Sequence, residues 1–404
     1  MLSRLTLHRH YIGGILLIAG TSIGAAVLAL PISTGMMGFI PTMTLFVAYW
    51  LFMLFTALCF LEVNLSMKGN VNFISMARHT LGRWGEIFNW IVYLYLLYAL
   101  TTAYIAGSGP IFHKLIFMTT GYDIPTFMQS LPLILIFGYF VYRGAETVDY
   151  ANRFLMLGLV ITYMAIIIWI APYIEIERLH GHVEWRYFNV SLSVIAVSFG
   201  YHIIIPTLSR YLDHQPDMLK KVILFGSIIP LVCYIIWETV ALGVIPITGE
   251  NGLAVGYQKG LNSADLLAKT IENPSLLALT SAFSFFTIVT SFLGVSLSLR
   301  DFLADGFKIK ENHRGKILLY ILTFLPPMII CQINPRAFLT ALEHAGAFGV
   351  VLLLGLMPAL MVWFNRYRRG HESPYRAPGG KPALILTMVI SIFIITVEIW
   401  NQLS

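Results

Sequence analysis

Charge is what this chain has little of. Lys, Arg, Asp and Glu make up 11% of its 404 residues, while 57% are hydrophobic; soluble domains carry about 25% charged residues. That excludes a soluble domain of any size, and nearly the whole length can be placed in membrane spans. Cysteine is scarce too. Cys59, Cys233 and Cys331 each sit singly in apolar runs, which excludes a disulfide framework or a thiolate metal site and marks them as buried thiols. Hydrolytic motifs are missing: there is no H-E-x-x-H, no G-x-S-x-G and no pair of intramembrane aspartates, so an intramembrane enzyme is disfavoured. There is no repeated filter or symmetric charged ring of the kind a channel needs. No cofactor is expected. The net charge of +6 comes from short connections between spans, where basic residues read as orientation signals and not as nucleic-acid contacts. The first apolar run is too long for a cleavable signal peptide.

What is present is a series of apolar runs of about 20 residues. They predict an all-α integral membrane protein with eleven spans, at 11–36, 41–66, 86–112, 127–143, 152–173, 189–210, 221–245, 275–301, 316–333, 337–364 and 382–402. Residues 1–404 then form a single transmembrane domain. With the N-terminus in the cytoplasm, 20 of the 26 Lys and Arg residues fall on the cytoplasmic side and six outside. That bias sets a cytoplasmic N-terminus and an external C-terminus in a bacterial inner membrane. Residues 67–85 space Phe73, Met76, Ala77 and Leu81 as one helical face between basic residues, which predicts a short interfacial helix. Residues 246–274 form the longest external connection, either a lid or a passive loop.

Two spans are interrupted. The first contains Gly20-Thr21-Ser22-Ile23-Gly24 and the sixth contains Ser198-Phe199-Gly200-Tyr201-His202. Hydrocarbon offers no partner for a freed N–H or C=O, so backbone opens at that depth only inside protein or against a ligand. Paired interruptions in two halves point to the binding site of a secondary transporter. Where helix resumes, the amides of Gly24, Ala25 and Ala26 suit a carboxylate. The carbonyls of Thr21, Ser22 and Ile23 suit an ammonium or a metal cation, and those of Ser198, Phe199 and Gly200 open at the second break. Glycine at Gly20 and Gly24 admits backbone to a ligand. A packing role for these glycines is the plainer alternative.

AGTSIGAAVLALP (19–31), YALTTAYIAGSGP (98–110), DYANRFL (149–155), SFGYHIIIPTLSRYLD (198–213), GSIIPLVCYIIWETVALGVI (226–245), VTSFLGVSLSLRDFLAD (289–305) and TFLPP (323–327) carry a resemblance along the whole chain. It is to the hydroxy/aromatic amino acid permeases of the amino acid–polyamine–organocation superfamily, and most closely to the tyrosine-specific ones. The resemblance implies a LeuT-like inverted repeat of five plus five helices, about 11–173 and 189–364, with helices 1 and 6 discontinuous and 382–402 as an extra helix. It implies alternating access and import of an aromatic amino acid. Tyrosine is favoured, with tryptophan or phenylalanine next. Ala26 departs from the glycine common in the superfamily but keeps its N–H.

By the same resemblance, Thr287, Thr290 and Ser291 of the eighth span match the hydroxyls that supply a cation site in sodium-coupled relatives, with the Gly20 and Ile23 carbonyls completing it. The alternative is bonding to their own helix. Family members are generally proton-driven, and some proton-coupled relatives use a lysine on the fifth helix; NRFLMLGLVITYMAIIIWI (152–170) has none. Proton and sodium both stay open, with the proton favoured. His202, beside the second break and titrating near neutrality, is the candidate carrier, against a role as a buried structural ring. Glu62, Glu238, Glu343 with His344, and Glu398 lie in or near spans, where charge is costly and functional by default; Glu398 is expected at the external interface. On the third span Tyr95, Tyr98 and Thr102 share a face bordered by Thr101. If that face meets the breaks, it lines an aromatic pocket with Phe199, Tyr201 and Phe286. Lipid is the expected surroundings, and oligomeric state is open.

Overall fold

The run interrupted by glycine begins as α1 (Leu2–Ser22), turns, and continues as α2 (Ala26–Thr34), bent by 55°. This computed structural model describes residues 2–67, 71–181, 183–310, 312–334, 336–370 and 372–403. Regular structure among them is helical. Gly38, at a φ of 102° that suits glycine, leads into α3 (Phe39–Leu65). α4 (Phe73–Thr120) opens on an Asn72–Ser75 capping box. Gly82, at φ 79° and ψ −164°, leaves the helix inside α4 and sets 73–81 apart from the long span. That short helix buries Phe73, Met76 and Ala77 and exposes Arg78, as the spacing requires. The first part of the expected interfacial segment, Lys68 to Asn70, lies outside the described residues.

After α5 (Gly138–Arg143) come α6 (Ala145–Ile170), the short α7 (Ile176–Leu179), and α8 (Phe188–Ser198) with α9 (Ile205–Tyr211) as the second broken helix. α10 (Pro216–Val244) leads to α11 (Leu253–Lys259) and α12 (Ser263–Ile271), then α13 (Pro274–Phe307), capped by Asn273, and α14 (His313–Ile333), capped by Asn312. α15 (Ala337–His344) passes through π-helical turns at Ala345–Leu356 into α16 (Met357–Phe364), and α17 (Gly380–Leu403) closes the chain.

Nine helices or helix runs among the described residues are long and apolar enough to cross a membrane, ten if α1 and α2 count as one bent span. Eleven were expected. The difference lies at 127–143, where helix occupies only 131–143 and includes a π turn. Thirteen residues reach about 20 Å, short of a bilayer core of about 30 Å. Pro125 and Pro132, which lack an N–H, hold back its start. The long connection 246–274 is folded: α11 and α12 pack on α2, with Leu253, Leu266 and Leu267 fully buried.

The packing places the two breaks side by side. α1 lies along α10, α2 against α8, and α13 against both α4 and α6. The π-helical stretch between α15 and α16 comes up to α8 backbone to backbone. A Cβ on Gly346 would stand 1.8 Å from the Ser193 carbonyl oxygen, so only glycine allows this approach. Among the described residues the largest fully buried side chains include Trp237, Tyr201, Tyr234 and Phe199.

Candidate functional site

At the first break, the Ile23 N–H still donates to the Ala19 carbonyl at 2.9 Å, and bonding resumes with Val27 donating to Gly24 at 3.1 Å. Ala25 N–H donates out of the helix, to Ser291 Oγ on α13 at 3.0 Å. The Ser291 hydroxyl donates in turn to the Thr287 carbonyl at 2.9 Å. A Cβ on Gly24 would meet Ser291 Oγ at 2.9 Å, whereas one on Gly20 would meet only the Met156 methyl, at 3.6 Å. The opening therefore falls at 23–25, later than the expected 20–24. Gly20, Thr21 and Ser22 remain helical, and the Thr21 hydroxyl turns back to the Leu17 carbonyl at 2.7 Å. Glycine permits unwinding, but the helix opens where an outside acceptor replaces the internal one. Beyond the opening, Ala26 begins α2.

At the second break Phe199 (φ −109°, ψ 18°) and Tyr201 (φ −111°, ψ 1°) leave the helix around Gly200, and His202 starts a 3-10 turn. The break is 199–201, inside the expected 198–202; Ser198 stays in α8 with its hydroxyl on the Val194 carbonyl at 3.2 Å. Phe199, Tyr201 and His202 are fully buried. His202 Nε2 lies 2.9 Å from Thr56 Oγ1 on α3, and the ring meets Phe60 edge-on at 6.3 Å.

One side chain joins the breaks. The Tyr234 hydroxyl on α10 lies 2.7 Å from the Ser22 carbonyl and 2.9 Å from the Ser198 carbonyl, the residues that end the first half of each broken helix. Its single proton serves two acceptors, and its ring packs edge-on against Phe199 at 5.4 Å. Sequence reasoning gave Tyr234 no role, because one of 20 tyrosines in an apolar helix has no spacing to mark it. Tyr234→Phe leaves two buried carbonyls without their shared donor. Uptake is expected to fall by about 10-fold, from a loss of about 1–3 kcal/mol, with the thermal unfolding midpoint nearly unchanged. Unaltered uptake would reduce Tyr234 to packing.

The other expected site residues divide. Ser291 reaches the first break, and Tyr104 stands beside it. Thr287 and Thr290 donate to the carbonyls of their own helix, Phe283 at 2.6 Å and Phe286 at 2.8 Å, which is the plainer of the two readings, although their lone pairs stay open. The Phe286 ring lies across Gly158 on α6. Tyr98 and Thr102 share a face, but it turns away from the breaks. The Tyr98 hydroxyl donates to the Leu322 carbonyl at 2.8 Å, and both residues line a side cavity of about 250 Å³ with Asn334, Thr340 and His344. Thr101, fully buried, is on the inner face and donates to the Leu97 carbonyl at 2.7 Å.

The intramembrane acids each have a partner. Both Glu62 carboxylate oxygens accept from Arg366, and the Ala377 N–H adds a bond at 2.7 Å, so Glu62 anchors the 370s segment to α3. Glu398, expected at the external interface, is buried inside the protein. It is 6% exposed and accepts from Ser193 of α8 at 2.6 Å and Gln402 at 3.0 Å, because α17 packs on α8 at this level. His344 bridges Tyr95 at 3.0 Å and Gln402 at 3.1 Å, Glu343 accepts from Tyr257 at 3.0 Å, and Glu238 meets Thr34 at 2.6 Å.

Known proteins align with this chain nearly from end to end. The profile of the tryptophan/tyrosine permease family matches residues 8–398. The tryptophan-specific transport protein of Pseudomonas aeruginosa (strain UCBPP-PA14) is 31% identical over 390 residues, 94% of this chain and 92% of that one. Tyrosine-specific transport system 1 of Haemophilus influenzae is 31% identical over 401 residues, 96% of each chain. The low affinity tryptophan permease of Escherichia coli (strain K12) is 28% identical over 396 residues, 94% of each. All three are named for transport and none for catalysis. Together with the many apolar helices, this makes the chain a multi-pass membrane permease for an amino acid and not an enzyme: it belongs to the tryptophan/tyrosine permease family.

Proposed function

We propose that this permease is a secondary active carrier of a bacterial inner membrane that imports an aromatic amino acid, tyrosine first, in symport with a proton. The observation that carries the proposal is the pair of broken helices whose ends meet at Tyr234. In this reading the substrate carboxylate sits on the amides of Gly24 and Ala26 and takes that of Ala25 by displacing Ser291 Oγ, where α2 offers the positive end of its dipole. The ammonium faces the carbonyls of Thr21 to Ile23 and of Ser198 to Gly200. Phe199, Tyr201 and Phe286 are the rings proposed for the aromatic side chain, with His202 behind them and Tyr98, Thr101 and Thr102 outside the first contact layer. Tryptophan is the second substrate reading, because two of the relatives are named for it.

The chain is taken as two inverted repeats, about 11–173 and 189–364, plus the helix at 382–402. The N-terminus is cytoplasmic and the C-terminus external, with the 3-10 turn Thr126–Met128 and the helix at 131–143 together completing eleven crossings. Alternating access then moves α2 and α8 about their breaks. The second ion reading is sodium, held by Gly20 and Ile23 carbonyls with Thr287, Thr290 and Ser291. Ser291 Oγ accepts from Ala25 N–H and donates to Thr287, which leaves one lone pair for such an ion.

Labelled tyrosine uptake into proteoliposomes separates the ions. Accumulation is expected with an inward proton gradient in the absence of sodium. Accumulation on a sodium gradient at constant pH, lost in Thr290→Val with Ser291→Ala, would replace the proton with sodium.

A further inference from the structure

Glu238 lies in the last third of the membrane-spanning α10, is fully buried, and has one unpartnered oxygen, Oε2. Its other oxygen, Oε1, is 2.6 Å from Thr34 Oγ1, and Thr34 Oγ1 is also 2.8 Å from the Leu30 carbonyl. Proton counting decides how these contacts are made. A carbonyl cannot donate and a threonine hydroxyl has one proton. When Thr34 donates to Leu30, the contact with Glu238 needs a proton on the carboxyl group. When Thr34 donates to Glu238 instead, a charged carboxylate sits in the apolar interior with a single neutral donor, which is unfavourable. The protonated arrangement is the lower in energy.

No neighbouring element changes this. α2 offers Thr34 and Ser33. From α3, Thr42 donates to the Thr34 carbonyl at 3.0 Å. From α6, Tyr163 donates to the Cys233 carbonyl at 2.8 Å. Glu175 and Arg178, at α7, close on each other at 2.7 Å, with Arg178 also on the Val244 carbonyl at 3.1 Å. Asp265 of α12 takes the Asn262 amide at 2.8 Å. The His10 ring of α1 rests on Tyr211 at 4.5 Å. Among the described residues no ion pair includes Glu238.

We propose that Glu238 binds the coupling proton, and that α2 links this proton to the substrate; the proposal rests on the proton-symport reading of the breaks. α2 is nine residues long, about 13 Å. Its first amides face the proposed carboxylate position, and Thr34, at its far end, caps Glu238. When α2 moves away from α10, Glu238 loses Thr34 and gains water. The O–H bond of the carboxylic acid then breaks, the proton passes to water on the open side, and the electron pair stays as carboxylate. Reseating α2 requires the proton back. Substrate and proton thus favour the same position of one short helix, and that linkage is reciprocal.

The test uses the full-length carrier in proteoliposomes with labelled tyrosine. Glu238→Gln keeps the shape and can still donate to Thr34, but binds no proton. It is expected to lose accumulation driven by an inward proton gradient while counterflow at equal pH persists, within about 3-fold of wild type and no longer pH-dependent. Thr34→Val leaves the carboxyl titratable but removes its acceptor, so uptake should shift to lower pH. Accumulation by Glu238→Gln at the wild-type level overturns the proposal. So does parallel loss of counterflow and accumulation together with an unmoved pH profile in Thr34→Val, which would make Glu238 structural. Loss of accumulation with counterflow intact in His202→Gln, but not in Glu238→Gln, would move the proton to His202. If the wild-type carrier accumulates tyrosine only on a sodium gradient, the symport reading itself fails and takes the assignment with it.

Discussion

Gly24→Val is expected to abolish tyrosine uptake while the carrier still folds and inserts. A Cβ at this position stands 2.9 Å from Ser291 Oγ, and that oxygen is held at both sides, by Ala25 N–H at 3.0 Å and the Thr287 carbonyl at 2.9 Å. Ser291 can yield only by giving up the bond that holds the break open. Gly24→Ala should cost the same bond, about 1–3 kcal/mol or roughly 5- to 150-fold in rate, and Ser291→Ala added in the same chain should cost little more, because the acceptor it removes has already lost its donor. The coupling between the two sites is what a double-mutant cycle measures. Gly20→Ala is the contrast, because its new methyl would meet only Met156, at 3.6 Å. Initial uptake rates, with size-exclusion profiles as the folding control, check all four variants. Gly24→Val within about 3-fold of wild type would return Gly24 to packing, since the lost bond alone predicts more than that.

Glu62→Ala or Arg366→Ala is expected to give the largest loss of stability, about 3–5 kcal/mol for either, because each leaves its partner's charge buried and uncompensated. The two side chains are 3% and 5% exposed. The Arg366 fork grips both carboxylate oxygens and also donates to the Ala377 carbonyl at 2.8 Å, while Ser373 donates to the Glu62 carbonyl at 2.9 Å. The pair thus ties the segment after α16 to the end of α3. Glu62→Leu with Arg366→Met removes both charges and should unfold at a higher temperature than either alanine variant. A double variant no better than the singles would show that the geometry of the 370s segment, and not the unpaired charge, sets the cost. Arg366→Lys should recover little, since an ammonium cannot reproduce the two-pronged contact.

The residues that could be read from sequence are those whose role follows from chain-local physics. A hydrophobic span interrupted at Gly20-Thr21-Ser22-Ile23-Gly24 has to open somewhere, and it does; so does the one at Ser198 to His202. Where it opens is not local. Ser291, more than 260 residues away, offers the acceptor that moves the opening to 23–25. The shared face of Tyr95, Tyr98 and Thr102 was legible for the same reason, since helical spacing fixes which residues stand together. It does not fix which way they face, and packing of α4 turned them toward α14 and α15 while Thr101 and Tyr104 went inward. Hydropathy overstated 127–143, because an apolar run does not register what two prolines do to a helix start. Glu398 near the external end of its span suggested the interface, and only the packing of α17 on α8 shows it buried. Tyr234 is the largest omission: its importance is that two distant carbonyls converge on it, which no single segment records.

Counterflow tests the central claim, that this permease is a carrier for an aromatic amino acid, most directly. Proteoliposomes loaded with unlabelled tyrosine are diluted into a trace of labelled tyrosine, with no ion gradient imposed. The account predicts transient accumulation of label above equilibrium, competed by tyrosine, then by tryptophan and phenylalanine, and not by serine or threonine. Simple equilibration without an overshoot, or competition by serine as strong as by tyrosine, would contradict it.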